Sequence, residues 1–185
     1  MIRAEPGALA HVADQEPGVV AEPDFSNRFR RADARLRRLP RWLRRLVITW
    51  GFRLGVPFFG AARAHILEVE PHEVVVRVPS RRQVRNHVGG VHAVAMALSA
   101  ETATGILVGM NLQDRVVPLL SRMHIRYVHR SQGALTARAW LSPAQQHQLR
   151  TTTRGELQVP VEVHDETGAV PIVCEMVWAW RMLRS

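Results

Sequence analysis

The residues best suited to chemistry lie in one stretch, residues 86 to 105, which contains Asn86, His92 and Glu101. Glu101 is the only acid of this stretch and stands in an otherwise apolar run. A carboxylate in such surroundings can act as a general base or as a nucleophile, and a nearby amide or imidazole can orient a polar substrate. This stretch is therefore the candidate site.

The spacing of these residues constrains how they can cooperate. An α-helix turns about 100° and rises about 1.5 Å per residue, so the steps from His92 to Glu101 give opposite sides and about 13 Å of axial separation. One chain cannot aim both side chains at one substrate. A two-fold dimer can, because the helix start of one subunit meets Glu101 of the other at two equivalent places. The spacing predicts a site shared between subunits.

Sequence periodicity indicates the elements that position this stretch. His65 to Pro79 alternates like a hairpin around a turn at Pro71-His72, and a helix is expected from about His92 to Met110. Four further strands are expected around residues 122–127, 135–141, 156–164 and 170–182. The helix is apolar nearly all round, and its alanines and Gly105 let a sheet approach closely. The pattern predicts an α+β fold in which a long antiparallel sheet wraps one buried helix.

The composition favours a single globular domain. The chain has 185 residues, of which 46% are hydrophobic and 22% are charged. Its single cysteine, Cys174, excludes an internal disulfide framework and is expected to be a small core residue. We therefore expect a cytoplasmic protein. No transmembrane helix is expected, because the best candidate, residues 46–59, is too short and contains Arg53 and Pro57.

The charge is concentrated near the N-terminus. The net charge is +9 and every basic residue is arginine; nine arginines and one acid lie between Arg28 and Arg45. We expect a disordered leader over residues 1–25, an arginine-rich amphipathic helical segment over 26–54, and the main domain over 55–185. The basic segment is typical of a solvated face or a dimer-covering helix. A weak membrane-surface contact through residues 28–50 is an alternative, whereas no nucleic-acid partner is expected, because no recognised module accompanies the charge.

The site residues resemble a known family. Asn86 stands six residues before His92, and Glu101 stands nine residues after it, which resembles the hotdog-fold thioesterases of the phenylacetate-pathway and human thioesterase superfamily type. The segment Pro57-Phe58-Phe59-Gly60 is similar to an uncharacterised bacterial branch, DUF4442-like. The resemblance covers about residues 55 to 183. It implies the hotdog fold, a long antiparallel β-sheet wrapped around one central α-helix, here with an extra N-terminal basic helical segment.

The resemblance also implies an activity and roles for the residues. The activity would be that of an acyl-CoA thioesterase-like hydrolase, acting as a homodimer or a dimer of dimers. Glu101 would be the general base or nucleophile, Asn86 would position water or the thioester, and backbone N–H groups around His92 and Ala93 would form the oxyanion hole. Gly90 and Ala93 would contact the substrate. No cofactor is implied, since coenzyme A is part of the substrate.

Two positions differ from the family pattern. A glycine often follows the histidine, where this chain has Ala93. Some members carry a serine or threonine on the strand after the helix, and the nearest counterparts are Leu120 and Ser121. A hydratase is not expected, because the chain lacks an Asp-x-Asn-Pro-x-His motif.

Each of these residues also has a purely structural interpretation. Glu101 could pair with an arginine of the sheet such as Arg126 or Arg138, Asn86 could cap a turn, and His92 could be a satisfied histidine at the helix start. The histidine pairs lack the further ligands of a metal site, so no metal is expected. The alternative function is that of a non-catalytic hotdog protein that binds an acyl-CoA or a lipid.

Overall fold

A computed structural model describes residues 25–183, so the predicted leader, Phe25 aside, lies outside the described residues. The helices are α1 (Arg28–Leu36), α2 (Arg41–Gly55), α3 (Pro57–Ala61), α4 (Ala93–Asn111) and α5 (Pro143–Thr151). The strands are β1 (His65–Glu70), β2 (Glu73–Val78), β3 (Val116–Tyr127), β4 (Leu135–Trp140), β5 (Arg154–Val159), β6 (Val161–Asp165) and β7 (Ile172–Met182).

The strands form one antiparallel sheet that wraps around α4, as predicted. The order is β1-β2-β4-β6-β7-β3, and β5 pairs with β7 beside β6. β3 and β7 are paired along almost their whole lengths, with one irregularity between Leu120 and Arg122. The two ends of the sheet are therefore β1 and β3.

Helix α4 fills the concave side of the sheet and confirms the predicted buried helix. His92 begins it as the N-cap, and thirteen of its nineteen residues are buried. Gly105 lies against Trp178 so closely that an added Cβ would come within 2.8 Å of the indole. The Trp178 indole N–H donates to Thr104 Oγ1 at 2.9 Å. By length and composition α4 could cross a membrane, but 67% of its apolar stretch is buried inside the domain.

The region after β4 differs from the prediction of four strands. An additional helix, α5, begins with a capping box in which Ser142 and Gln145 bond to each other's backbone and Pro143 occupies the first turn. The predicted strand 156–164 is two strands, since Pro160 separates β5 from β6. Proline has no N–H to donate to a ladder, and at this point the pairing changes from β7 to β4.

The arginine-rich segment forms two helices that pack against the sheet and the end of α4. The Asn27 amide donates to the carbonyls of Gly109, Met110 and Leu112 at the C-terminal end of α4. Arg30 Nε donates to the Met110 carbonyl as well, and a cation is favourable at this negative helix end. Residues 27–30 thus close the C-terminal end of the core helix.

Helix α2 covers the β1 edge of the sheet. The hydroxyl of Thr49 bonds to both the N–H and the C=O of Ile66. Arg44 donates to the Val69 carbonyl and Arg53 to the Ala64 carbonyl. Side chains of α2 therefore occupy backbone groups that a neighbouring strand would otherwise pair with.

Candidate active site

One stripe of helix α4 is only partly covered by the rest of the domain. The six residues of α4 that are not buried are Ala93, Val94, Ala97, Glu101, Gly105 and Gly109. From Val94 onward they follow each other at intervals of three or four residues, which places them on one side of the helix. Glu101 is at the middle of this stripe and is its only charged residue. The partly covered stripe of α4 is thus apolar around a single carboxylate.

The Glu101 carboxylate has no hydrogen-bond or ion-pair partner among residues 25–183. Arg138, one partner considered from the sequence, pairs with Glu73 at 2.5 Å. Arg126, the other, is exposed and alternates along β3 with Ile125 and Tyr127, which face the helix. The arrangement within one chain does not support a structural ion pair for Glu101.

Asn86 shapes a tight loop before α4. Its Oδ1 accepts the N–H groups of Val88 and Gly90 at 3.0 and 3.1 Å. Because both partners are donors, the orientation of the Asn86 amide is defined. The Nδ2 group has no acceptor within the described part of the chain and remains able to donate. Asn86 thus caps a turn, and that role leaves its donor available to a substrate.

The N-terminal end of α4 offers fewer backbone donors than expected. The His92 N–H donates to the Val84 carbonyl at 2.7 Å, and the Val94 N–H donates to His92 Nδ1 at 3.2 Å. The Ala93 N–H has no acceptor among residues 25–183. Of the two backbone N–H groups expected to form the oxyanion hole, that of Ala93 is therefore available, whereas that of His92 already has an acceptor.

Gly90 lies at a close approach of the chain to Ser131. A Cβ at Gly90 would lie 3.2 Å from the Ser131 carbonyl oxygen. The buried Ser131 hydroxyl also accepts the Val91 N–H at 3.1 Å. Gly89 has a φ of +82°, which favours glycine. Sequence reasoning missed Ser131, which secures the loop that carries Asn86.

Tyr127 of β3 reaches the same end of α4. Its hydroxyl donates to the Ala93 carbonyl at 3.2 Å. Burial, and to a smaller extent the nearby Cys174, raises the pKa of the phenol. Tyr127 is the only tyrosine of the chain and occupies a helix-facing position of its strand. That combination was the sequence signal that could have identified it.

Cys174 lies on the helix-facing side of β7, as expected for a core cysteine. Burial raises the pKa of its thiol to about 11. The thiol is the form present at neutral pH, and a thiol is a poor nucleophile. Trp178 and Trp180, on the same face, are 7% and 2% exposed and belong to the core.

An open cleft of about 470 Å³ lies beside the start of α4. Its volume is within the range of small-molecule sites. The lining is mainly apolar and includes His92 as its only titratable side chain, the full set being Phe58, Ala61, Ala62, Gln83, Val84, His92, Val94, Ala95 and Leu98. The cleft could hold an apolar chain next to the Asn86 loop.

The open edge of β3 runs alongside the partly covered stripe of α4. Tyr127 of β3 contacts Ala93 near one end of the stripe, and Trp178 of the neighbouring β7 packs on Gly105 further along it. No strand among residues 25–183 pairs with the outer edge of β3. The partly covered stripe that carries Glu101 therefore borders a sheet edge whose backbone groups are free to pair with another strand.

The structure brings four of the five predicted site residues together in one chain. Asn86, Gly90, His92 and Ala93 form the loop and the first turn of α4, while Glu101 lies about 13 Å further along the helix axis. Ser121 is not near them, since its hydroxyl donates to Glu156 and to the Val177 carbonyl on other strands. Within residues 25–183 no group of three or more His, Cys, Asp or Glu side chains is arranged to hold a metal ion.

Comparison with known proteins places this architecture in a family. The model described as "Domain of unknown function (DUF4442)" matches residues 44–180, so the match begins within α2, earlier than the expected boundary at residue 55. No protein with a curated function matches the sequence.

Solved structures share the fold at low sequence identity. A Pseudomonas aeruginosa protein of unknown function, described as a probable thioesterase, is 23% identical with a TM-score of 0.67, over 78% of this chain and 97% of that chain. A thioesterase from Haemophilus influenzae is 14% identical with a TM-score of 0.55, over 68% and 83%. A thioesterase family protein from Silicibacter pomeroyi is 13% identical with a TM-score of 0.58, over 73% and 96%. The chain belongs to the DUF4442 family, and it shares the hotdog fold of these solved structures.

Proposed function

We propose that the protein is an acyl-CoA thioesterase-like hydrolase that acts as a homodimer in the cytoplasm. The observation that carries the proposal is the Glu101 carboxylate, unpartnered within the described chain, on the partly covered stripe of the core helix. In the proposed dimer this stripe would be covered, and removing a carboxylate from water costs several kcal/mol unless it is paired. An unpaired acid at this position therefore points to a functional role for Glu101.

The dimer is proposed to form by antiparallel pairing of β3 with β3 of a second copy. This pairing would satisfy the free backbone groups of the edge and would cover the adjacent stripe of α4. A two-fold axis at this edge would also bring the Asn86 loop of one subunit towards Glu101 of the other. The separation of the two residues within one chain is the reason why a partner is needed.

The residues then have distinct tasks in thioester hydrolysis. Glu101 takes a proton from water as the water attacks the thioester carbonyl carbon, or attacks that carbon itself to form an anhydride that water then hydrolyses. The Ala93 N–H and the Asn86 amide donate to the developing oxyanion. The C–S bond breaks, coenzyme A leaves as a thiol once its sulfur is protonated, and the acyl group leaves as a carboxylate. The apolar cleft next to His92 would hold the acyl chain.

The first test is thiol release from short, long and aromatic acyl-CoA substrates. Glu101→Gln should lower kcat by about 10² to 10⁴-fold, the usual contribution of a general base. The matched control is Glu175→Gln, an exposed glutamate of β7 on the outer face of the sheet, which should retain activity. A wild-type protein that releases no thiol from any of the three classes would refute the proposal.

A mixing experiment tests the shared site. Asn86→Asp keeps the acceptor of the loop and removes the donor, so it and Glu101→Gln should each be inactive alone. In a mixed dimer, one of the two sites combines an intact Asn86 with an intact Glu101. Equal mixing should therefore recover about a quarter of the wild-type activity. No recovery from stable mixed dimers would mean that each site is built from one chain.

The apolar lining of the cleft favours one alternative, a non-catalytic protein that binds an acyl-CoA or a lipid. Such a protein would gain thermal stability from acyl-CoA without releasing thiol. Thermal shift and thiol release measured on the same samples distinguish the two functions. If no acyl-CoA raises the melting temperature, the alternative is wrong.

A further inference from the structure

Helix α2 carries an apolar stripe on its outward face. Trp42, Leu46, Trp50 and Leu54 follow each other at intervals of four residues and are 56–67% exposed. A helix that packs on a globular domain normally presents polar side chains to water on this side. The apolar stripe of α2 therefore lacks a covering layer within residues 25–183.

The charged residues of α2 do not explain this stripe. Arg44 and Arg53 bind the backbone of β1 and of the turn before it, and Arg45 pairs with Glu68 at 3.6 Å. These three arginines attach α2 to the domain and hold it in a fixed orientation. The helix is therefore firmly attached, and its tryptophans face outward because these contacts fix its orientation.

Unpaired cations lie at one end of the stripe. Arg35, Arg38 and Arg41 are exposed and have no ion-pair partner among residues 25–183. Arg41 directly precedes Trp42 at the start of α2, while Arg35 lies in the last turn of α1 and Arg38 in the turn between the two helices. A two-fold contact between this stripe and the same stripe of a second copy would bring the same arginines together without matching anions. A surface that is both apolar and negatively charged would match it.

A bilayer with anionic headgroups has both properties. Tryptophan is favoured at the boundary between headgroups and acyl chains, and arginines on an amphipathic helix bind lipid phosphates. The apolar surface also continues from α2 to the half-exposed Phe58 of α3, which lines the cleft beside His92. The stripe thus extends towards the opening of the candidate site.

We propose that α2 docks the protein on an anionic lipid bilayer. The apolar stripe enters the boundary below the headgroups, while Arg35, Arg38 and Arg41 bind the phosphates. The helix lies in the plane of the surface and does not cross the membrane. This docking does not depend on the chemistry assigned to Glu101.

Vesicle flotation of the full chain tests the docking. Wild type should float with phosphatidylcholine vesicles that contain phosphatidylglycerol, and should stay behind with phosphatidylcholine alone. The triple variant Arg35→Gln, Arg38→Gln, Arg41→Gln should bind about a hundredfold more weakly, because each arginine near an anionic surface contributes about 1 kcal/mol. The double variant Trp42→Ser, Trp50→Ser should lose flotation. High salt should weaken wild-type binding in the same way.

A control variant removes the same charge elsewhere. Arg122, Arg154 and Arg181 are exposed on β3, β5 and β7, towards the other end of the sheet from β1. Changing all three to Gln should weaken binding only about threefold or less, since screened charges act over about one Debye length. Circular dichroism checks folding, and release of thiol from a soluble acyl-CoA on the same preparations reads the chemistry separately.

Three results would overturn the docking. The first is a folded wild type that does not float with anionic vesicles. The second is a control variant that loses as much binding as the triple arginine variant. The third is a tryptophan variant that binds vesicles normally but forms a smaller oligomer by light scattering, which would make the stripe a contact between copies of the chain.

Discussion

Replacing Asn27 by aspartate separates two roles that one side chain performs. Asn27 Oδ1 accepts the Arg30 N–H at 2.8 Å and so caps the start of α1. Its Nδ2 donates to the carbonyls of Gly109, Met110 and Leu112 at 3.0, 3.2 and 2.6 Å. Aspartate is as good an N-cap as asparagine, but it cannot donate. The substitution keeps the first role and removes the second.

The magnitude follows from the groups that lose their partners. Nδ2 carries two hydrogens, and each net hydrogen bond contributes about 0.5–1.5 kcal/mol. A carboxylate at the negative end of α4 adds a penalty of about 0.3–1 kcal/mol. We therefore expect Asn27→Asp to lower the free energy of unfolding by about 1–4 kcal/mol. If Asn27 acted only as the cap of α1, the same change would be nearly neutral.

Urea unfolding at pH 7 and constant protein concentration measures this difference. Asn27→Ala should be destabilised to a similar extent, because it loses the donors and also the cap, which contributes about 1 kcal/mol. Ser142→Asp at the start of α5 is the matched control, since Ser142 caps one helix only, and it should change stability little. An Asn27→Asp protein within about 0.5 kcal/mol of wild type would refute the claim that residues 27–30 secure the end of α4.

Three further predictions follow from the core and from the pKa shifts. Gly105→Ala should be less stable than Gly109→Ala by about 1–3 kcal/mol in thermal unfolding, because a Cβ lies 2.8 Å from Trp178 in the first case and 3.8 Å from Phe29 in the second; equal stabilities would contradict this packing. Cys174, whose thiol pKa burial raises to about 11, should react with a disulfide reagent at pH 8 about a hundredfold more slowly in the native protein than in urea; fast native labelling would contradict its burial. Burial alone would raise the pKa of Asp165, but hydrogen bonds donated by Thr167, Gln132 and Ala169 outweigh it and lower that pKa. The stabilisation by the Asp165 carboxylate is thus present above its unfolded-state pKa of about 3.9, and it is lost as the pH falls through its pKa in the folded protein. The difference in unfolding free energy between wild type and Asp165→Asn, about 2 kcal/mol at pH 7, should therefore disappear in acid. A difference that does not change with pH would contradict the assignment.

The core of the fold was predictable because its sequence patterns are strong and local. The run of apolar residues after His92 has one reading, a buried helix, and the alternating valines of β2 define a strand that is buried on one face. The match of the intervals from Asn86 to His92 and to Glu101 with a known family then implied the hotdog arrangement. These residues are close together in the chain. In the structure Asn86 lies in a loop, His92 is the N-cap of α4, and Glu101 lies in the middle of that helix.

The parts that were missed depend on contacts between distant segments. Helix α5 is polar and short, so its hydrophobic period is weak, and only the cap at Ser142 signals it. That the His92 N–H is taken by Val84 depends on how a loop returns to the helix start. The hydrogen bond between Tyr127 and Ala93 likewise joins residues 34 positions apart. No periodicity encodes such pairs.

The unequal ends of the sheet limit how many chains can join. Helix α2 closes the β1 end with side-chain hydrogen bonds from Thr49, Arg44 and Arg53, whereas the outer edge of β3 has no strand beside it. A sheet that can grow at both ends polymerises into fibres, but a sheet with one growing end has a valency of one. In the proposed dimer, edge-to-edge association would therefore stop at two chains. By covering one edge, the arginine-rich segment would limit the proposed association to a pair.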